Sequence, residues 1–279
     1  MTAVSDRSAD TRDAQPATDG AQQRYLEEIA LVSKWTVRTI VELPKALRFP
    51  TEIIRQCAIM ILSSSVVVWM LVFTGGVMVA EVSHYFLETI GAQAYIGFVT
   101  AAATLKGTSC VFFGYIVAAK VGCGIVAELG AMRINEEIDA MEVMGVPSRT
   151  FLVGTRVWAS IIAFPFLFVT GFSWAFVGSY ITNVIILKTV SVGGYNSVFW
   201  AFTTPGDMFV RSMLWAMITA LLAIIIACYY GYTASGGPVG VGENTARSMA
   251  FNFVMVNLLG AGAMFQLFYG TNVVIPIGN

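Results

Sequence analysis

The sequence predicts an all-α integral membrane protein with an N-terminal amphipathic interfacial helix, five transmembrane helices and a charged helix between the second and third spans. Hydrophobic residues make up 57% of the 279 residues and charged residues only 12%, whereas about 25% charged residues is typical of soluble domains. The mean hydropathy is +0.73. Uncharged apolar runs long enough to cross a bilayer, about 20 residues each, also recur along the chain. A soluble chain of this length could not bury so much apolar surface.

The N-terminal region divides into a tail and an amphipathic segment. Residues 1–23 are rich in Ser, Thr, Asp, Ala and Gln and predict a disordered tail. Residues 24–55 interleave apolar residues, including Trp35, with Lys and Arg, which is typical of a helix in the headgroup plane. Pro44 and Pro50 predict breaks before the first span. The first long apolar run starts too late for a cleavable signal peptide.

The remainder, residues 56–279, predicts a single membrane domain. Residues 188–211 and 233–247 are polar or rich in turn residues and predict loops on opposite sides of the membrane. Pro165 predicts a kink in the third span. The predicted spans are residues 56–80, 107–127, 157–187, 212–232 and 248–272.

Lys and Arg accumulate on one side of this arrangement. Most of them lie in residues 24–55, between the second and third spans, and before the last span. The positive-inside rule therefore predicts a cytoplasmic N-terminus and an outer C-terminus. Lys120 lies close enough to the end of its span to reach the cytoplasmic surface. Lys106 either faces the outer headgroups or lines a polar cavity, and the sequence leaves both open.

The charged helix predicted at residues 128–146 is the densest cluster of charge outside the tail, with five acids. A charge at the bilayer centre costs about 2.5–3.5 kcal/mol, so this segment lies outside the hydrocarbon. Gly145 and Pro147 predict its end. Taken alone, such a segment is ordinarily a solvated connector. A narrow apolar stripe with helical spacing runs along it, formed by Ala131, Ile134, Ile138, Met141 and Gly145.

The sequence predicts no catalytic, metal or cofactor site in this chain. Residues 235–245, SGGPVGVGENT, resemble a phosphate-binding loop, but Glu243 follows Gly242 where such a loop requires Lys. His84 is the single histidine, so neither a metal site nor a proton relay is expected there. The four cysteines show no metal-ligand spacing and predict small packing residues: Cys57, Cys110, Cys123 and Cys228.

Two motifs carry a resemblance to a known family. The run ELGAMRxxEEIDAxEVMG at residues 128–145 resembles the signature of the MlaE/YrbE permeases of ABC-type lipid transporters. It is most similar to the B-type YrbE subunits of actinobacterial Mce systems. Residues 228–249, CYYGYTASGGPVGVGENTARSM, resemble the family's loop before its last span. The resemblance extends from about residue 30 to the C-terminus.

This resemblance implies an elbow helix at residues 24–55, an MlaE-type permease domain at residues 56–279 and a coupling helix at residues 128–146. The coupling helix would dock in a groove of a separate cytoplasmic ABC ATPase, which uses ATP and Mg²⁺. The residues expected to couple the chain to that ATPase are Glu128, Arg133, Glu136, Glu137, Asp139, Glu142 and Gly145.

The resemblance further implies import of lipids such as fatty acids or sterols across the plasma membrane of an actinobacterium. The expected partners are an A-type YrbE permease, an ABC ATPase dimer and hexameric MCE-domain proteins on the outer side, with no nucleic acid. The alternatives are a passive scaffold or a secondary carrier for hydrophobic molecules, although a carrier usually shows internal repeats and ionisable groups within the membrane. Five bulky residues are candidates for a lipid pathway, with ordinary packing or lipid contact as the alternative: Trp69, Phe73, Met78, Phe98 and Phe112.

Overall fold

The computed structural model describes residues 16–202 and 207–264, and over these residues it is helical with no strand. Short turns and π-helical segments join ten α-helices. They are α1 Pro16–Ala46, α2 Pro50–Thr89, α3 Ile96–Ala103, α4 Ser109–Ile116, α5 Cys123–Ile134, α6 Glu137–Val143, α7 Thr155–Tyr180, α8 Val192–Phe202, α9 Met213–Tyr232 and α10 Gly237–Met255.

π-Helical segments lengthen several of these helices. Two of them join α3, α4 and α5 into one uninterrupted helical rod. The others extend α7 at both ends, precede α9 and follow α10. The π-helical segments are Thr104–Thr108, Val117–Gly122, Thr150–Gly154, Ile181–Ile186, Asp207–Ser212 and Val256–Met264.

Four helices of the described residues are long and apolar enough to cross a membrane, and they correspond to the first four predicted spans. They are Pro50–Thr89, Ser109–Ile134, Thr150–Ile186 and Val210–Tyr232. The fifth predicted span, residues 248–272, is helical as far as residue 264. Its remainder lies outside the described residues.

The first and third spans, α2 and α7, run parallel in close contact. Ser160 Oγ lies 3.6 Å from Met60 Sδ near the start of both helices. His84 Nδ1 lies 3.0 Å from Thr189 Oγ1 near their other ends. A Cβ atom at Gly76 would overlap the backbone carbonyl of Ala175. The two helices therefore approach to backbone contact, as small residues permit in membrane proteins.

The core lies between these helices and α4 and α9. Phe113 on α4 makes edge contacts with Phe164 and Phe168 on α7, with ring centroids 5.9 and 5.5 Å apart. Trp215 and Ile224 on α9 are fully buried beside them. The apolar core therefore extends along most of the bundle.

One end of the bundle collects several helix termini, and we call it the α6 end. It contains α6, the C-terminal ends of α1 and α9 and the starts of α2 and α7. Phe49 and Phe151 pack there with ring centroids 5.1 Å apart. Trp158 Nε1 donates a 2.9 Å hydrogen bond to the carbonyl of Leu43. These contacts fix the end of α1 against the start of α7.

Helix α1 is amphipathic, but its bounds differ from the prediction. It begins at Pro16, so residues 16–23 of the predicted tail are helical, and residues 1–15 lie outside the described residues. Pro44 lies inside its last turn instead of ending it. The break comes after Ala46, and Pro50 then occupies the first turn of α2, where its missing N–H costs nothing.

The predicted loop at residues 188–211 contains α8. Its Tyr195 and Phe199 are spaced by one helical turn and are both buried. Phe199 packs on Phe176 of α7 with centroids 4.8 Å apart, and Tyr195 Oη lies 3.2 Å from Ser179 Oγ. Burial of this pair explains why a glycine-containing segment is helical here.

The predicted polar loop at residues 233–247 is mostly helix α10. Only its first residues form a turn, in which Gly236 and Gly237 have φ of +86° and +73°. Pro238 follows in the first turn of α10, where proline favours helix initiation. The glycines do make a tight turn, as expected, but the helix starts at Gly237, eleven residues before the predicted span.

Candidate functional site

The predicted helix at residues 128–146 is two helices, α5 and α6, joined at Asn135 and Glu136. Glu136 adopts the left-handed conformation, with φ of 59°, which few non-glycine residues adopt and which interrupts a right-handed helix. An ion pair between Arg133 and Asp139 spans this joint. The expectation of one continuous helix is therefore wrong, and α6 is a separate short helix after the second span.

Helix α6 is held to the bundle mainly by Ile138, which is completely buried. Met141 is half-buried and packs against the same core. Of the other members of the predicted stripe, Ile134 is half-buried at the end of α5, and Ala131 and Gly145 are exposed. The stripe therefore contributes to packing mainly at residues 138 and 141, because the break at Glu136 changes the helical register.

The carboxylate of Glu142 connects α6 to two other elements. Ser148 Oγ donates a 2.6 Å hydrogen bond to Glu142 Oε1, and Tyr232 Oη donates one of 3.1 Å to the same oxygen. These hydrogen bonds, chiefly that from Ser148, hold the pKa of Glu142 below its usual value, with smaller effects from Arg133 and Arg149. Glu142 thereby links α6 to the start of the third span and the end of α9.

Glu128 forms an ion pair within the chain. Its Oε1 lies 2.9 Å from Nη2 of Arg156, whose side chain is only 2% exposed. Arg156 Nη1 also donates a 2.8 Å hydrogen bond to the carbonyl of Leu152. Glu128 therefore holds α5 against α7, and its expected contact with an ATPase stays a prediction.

The remaining charged residues of the predicted coupling set lie on the surface. Glu136, Glu137 and Asp139 are exposed, and Gly145 ends α6 with φ of +78°. These acids surround α6 without being drawn into the core. Glu136 and Glu137 are therefore accessible to a partner, while Asp139 pairs with Arg133 within the chain.

Sequence reasoning missed an exposed apolar pair at the end of α6. Val143 is 90% exposed and Met144 is 70% exposed. The signal was available, because both are apolar residues in a segment too charged to lie within the bilayer. We call Glu136, Glu137, Val143 and Met144 the α6 surface.

Sequence reasoning also missed the partners of the coupling residues. Ser148 and Tyr232, which hold Glu142, lie outside the motif that drew attention to it. Arg156 is one of the Lys and Arg residues between the second and third predicted spans, which served only to predict the orientation. No spacing along the chain signals contacts between different helices.

Two of the lipid-pathway candidates, Trp69 and Phe73, lie together on α2. Trp69 Nε1 donates a 3.0 Å hydrogen bond to Thr170 Oγ1. Its ring and that of Phe73 lie 6.4 and 6.3 Å from the ring of Trp174. Both are half-buried, so each packs on α7 and also reaches the surface of the bundle.

The other three candidates are dispersed. Phe112 contacts the position of Gly75 on α2, Met78 is exposed, and Phe98 is half-buried on α3. Over the described residues the five side chains do not line one cavity. A pathway that used all of them would need a surface shared with another molecule.

Among the described residues, no group of three or more His, Cys, Asp or Glu side chains could hold a metal ion. His84 pairs with Glu88 at 3.3 Å. Cys110 and Cys228 are buried, and Cys57 and Cys123 are half-buried. The polar contacts described at the α6 end are instead the ion pair between Glu128 and Arg156 and the hydrogen-bonded carboxylate of Glu142.

The sequence matches the family Permease MlaE over residues 53–265. A probable ABC transporter permease protein from Rickettsia prowazekii is 27% identical over 246 residues, covering 88% of this chain and 94% of that protein. A probable ABC transporter permease protein from Synechocystis is 29% identical and covers 71% and 74% of the two chains.

A third relative is a plant protein. The chloroplastic protein TRIGALACTOSYLDIACYLGLYCEROL 1 of Arabidopsis thaliana is 29% identical over 165 residues, which are 59% of this chain and 47% of the plant protein. The family match covers most of the chain and includes α2 to α10. The chain belongs to the MlaE permease family.

Proposed function

We propose that the chain is the permease subunit of an ATP-driven lipid importer of the Mce type, coupled through α6 to a separate cytoplasmic ABC ATPase. The observation that carries this proposal is the α6 surface. It exposes an apolar pair and two acids, Val143, Met144, Glu136 and Glu137, outside the predicted bilayer. The ATPase, with its ATP and Mg²⁺, would bind there.

The contacts behind α6 support a mechanical role. A push on α6 would reach α9 through the hydrogen bond between Glu142 and Tyr232. It would reach the third span through Ser148, two residues before the π-helical segment that precedes α7. The left-handed residue Glu136 separates α6 from α5, so α6 could move as a unit.

Apolar contact would supply most of the docking affinity. Burial of a Val or Met side chain contributes about 1.5–3 kcal/mol, whereas an exposed ion pair contributes about 0–1 kcal/mol. Glu136 and Glu137 would therefore orient the ATPase more than hold it. Glu128 would act indirectly, by fixing α5 to α7 through Arg156.

The lipid pathway would lie between two permease chains. Trp69 and Phe73 reach the bundle surface beside Trp174, and Met78 is exposed on the same helix. An A-type YrbE permease would complete the pathway, beneath a hexamer of MCE-domain proteins on the outer side. The lipid named in the Arabidopsis relative supports a lipid cargo, and fatty acids or sterols are the proposed class.

The B-type YrbE assignment, and with it an actinobacterial plasma membrane, rests on the motifs at residues 128–145 and 228–249. The relatives from Rickettsia and Synechocystis support the broader assignment to ABC permeases. The experiment below distinguishes this function from a passive scaffold or a secondary carrier, neither of which needs an ATPase.

The test is Val143→Asp, with Val239→Asp as its matched control. Val239 is 83% exposed near the start of α10, so both variants place a carboxylate on an exposed valine. Burying that charge against an ATPase should weaken docking at least tenfold, or about 1.4 kcal/mol. Affinity purification from native membranes, followed by mass spectrometry, measures the recovered ATPase.

Wild type and Val239→Asp should recover an ABC ATPase, a second permease and MCE-domain proteins. Val143→Asp should reach the membrane in equal amount and lose the ATPase and lipid uptake. If Val143→Asp recovers as much ATPase as the wild type does, docking at α6 is contradicted. Recovery of no ATPase with wild type would favour the scaffold or carrier.

A further inference from the structure

A cavity of about 640 Å³ opens at the α6 end between the C-terminal half of α1 and the segment that follows α6. This volume lies within the range of about 300–1,000 Å³ that is usual for small-molecule sites. Six charged residues line the cavity: Arg38, Lys45, Arg48, Arg149, Glu42 and Glu142. With four cations and two acids, the lining has an excess of two positive charges.

Both acids already have partners in the chain. Glu42 Oε1 lies 3.2 Å from Nε of Arg38, and Glu142 accepts hydrogen bonds from Ser148 and Tyr232. Glu42 thereby compensates the charge of Arg38, whereas Glu142 keeps its negative charge and interacts electrostatically with Arg149.

Of the three other cations, Lys45 and Arg48 lack an acidic partner, and Arg149 interacts with Glu142. Within the described part of the chain, Lys45 and Arg48 are exposed and form no ion pair with an acid. Arg149 stacks over Trp35 at 5.3 Å, and its Nη1 is buried without a hydrogen-bond partner. A buried donor without an acceptor costs about 1–3 kcal/mol. Lys45 and Arg48 thus present donors and positive charge to an anion in the cavity, beside the guanidinium of Arg149.

The surroundings of the cavity are typical of a membrane surface, where phosphate groups are abundant. Beside its cations, α1 exposes apolar side chains, including Val37, Val41 and Leu47, a combination typical of helices in the headgroup plane. The first span begins immediately afterwards, at Pro50. An anion at this level can come from a lipid or from the solution.

We propose that this cavity binds a phosphate group, supplied by the headgroup of an anionic phospholipid. Arg forms paired hydrogen bonds with phosphate oxygens and Lys adds a compact charge. The bound phosphate would contact Lys45 and Arg48 from α1 and Arg149 from the segment after α6. It would thereby clamp α6 against α1, so lipid composition would influence the position of the α6 surface. The site is separate from the proposed pathway for transported lipid.

The test compares Lys45→Gln/Arg48→Gln with the matched control Arg55→Gln/Arg247→Gln. The control also removes two exposed cations, but each pairs with its own acid outside the cavity, Glu52 and Glu243. The full chain is placed in phosphatidylcholine nanodiscs, and binding of fluorescent phosphatidylglycerol is measured. Thermal unfolding of each variant establishes that it is folded.

Wild type and control should prefer phosphatidylglycerol to a fluorescent phosphatidylcholine. The cavity variant should lose about fivefold in affinity for each cation removed. Excess inorganic phosphate distinguishes the two sources. If it competes with phosphatidylglycerol, the site binds soluble phosphate. If it does not compete, the site binds the lipid headgroup. Both results support a phosphate cavity.

Equal phosphatidylglycerol affinity in the cavity variant and the control would overturn the proposal. So would a cavity variant that keeps this affinity but no longer recovers an ATPase from native membranes. That second result would make the cavity part of a protein interface.

Discussion

At the scale of single residues, Arg156 and Glu128 show how a charge is retained within a membrane-spanning helix. Arg156 is 2% exposed, and one of its nitrogens, Nε, is buried without a hydrogen-bond partner. Desolvating an ion costs several kcal/mol, which a close partner offsets only if the geometry is good. Glu128 supplies that partner at 2.9 Å while remaining 54% exposed. Arg156 therefore depends on this ion pair more than Glu128 does, because Glu128 remains in contact with water and Arg156 does not.

We predict that Glu128→Gln destabilises the chain by about 2–4 kcal/mol, because it leaves a buried guanidinium without a counter-charge. Glu243→Gln is the matched control. It breaks an ion pair with the same 2.9 Å separation, to Arg247, in which both side chains are more than 60% exposed, and should cost less than about 1 kcal/mol. Thermal unfolding in detergent measures both, and equal shifts would mean that the burial of Arg156 carries no penalty.

Arg156→Met tests the same asymmetry from the other side. It removes the buried charge and leaves Glu128 in contact with water, so its cost should be smaller than that of Glu128→Gln. A larger loss with Arg156→Met would mean that packing of the arginine stem, and not its charge, stabilises α7 here.

At the scale of helices, the pairing of α2 with α7 depends on small residues. Gly76 lies so close to Ala175 that a side chain has no room between the two backbones. Gly124, on the second span, has no atom within 4 Å of the position of a Cβ. The two glycines therefore occupy opposite environments within membrane-spanning helices.

We predict that Gly76→Ala destabilises the chain by about 1–3 kcal/mol, since the added methyl group pushes α2 away from α7. Gly124→Ala should be neutral or stabilising by up to about 1 kcal/mol, because alanine favours a helix. Thermal unfolding of the chain alone gives both values. An equal change in unfolding free energy for the two variants would mean that α2 and α7 can separate slightly without loss of stability.

The helices themselves could be predicted from the sequence, but many of their ends could not. Long uncharged runs identify the first four spans because the lipid environment favours them directly. The break at Glu136 was not predicted, because Glu136 and Glu137 favour helices and only Asn135, a residue common at helix ends, marks the joint locally. Helix α8 was missed because its stability comes from Tyr195 and Phe199 packing against other helices.

In the candidate site, too, only the features that depend on local sequence could be predicted. The motif identified the exposed acids Glu136 and Glu137, which depend only on local sequence. The buried contacts of Glu128 and Glu142, by contrast, depend on Arg156, Ser148 and Tyr232, on other elements. The charges lining the cavity come from two separate segments, so their convergence requires the fold.

At the scale of the whole molecule, the four spans place the start of α2 and the end of α9 at the α6 end. Helix α10 then returns into the bundle. Val241, near its start, lies against Gly130 of α5. Further along, Asn252 Nδ2 donates a 3.3 Å hydrogen bond to the carbonyl of Ala223. Helix α10 and the π-helical segment after it correspond to the fifth predicted span as far as residue 264.

We predict that α10 continues across the bilayer, so that the N-terminus and α6 are cytoplasmic and the C-terminus is outside. Lys and Arg cluster near the α6 end, which favours retention on the cytoplasmic side. Protease treatment of right-side-out vesicles should remove a tag after Asn279 and leave a tag before Met1 intact. A single cysteine at Glu81→Cys should react with an impermeant thiol reagent, whereas one at Val143→Cys should not. Protection of both tags would mean that the helix after α9 enters the bundle and turns back, because an even number of spans leaves both termini on one side.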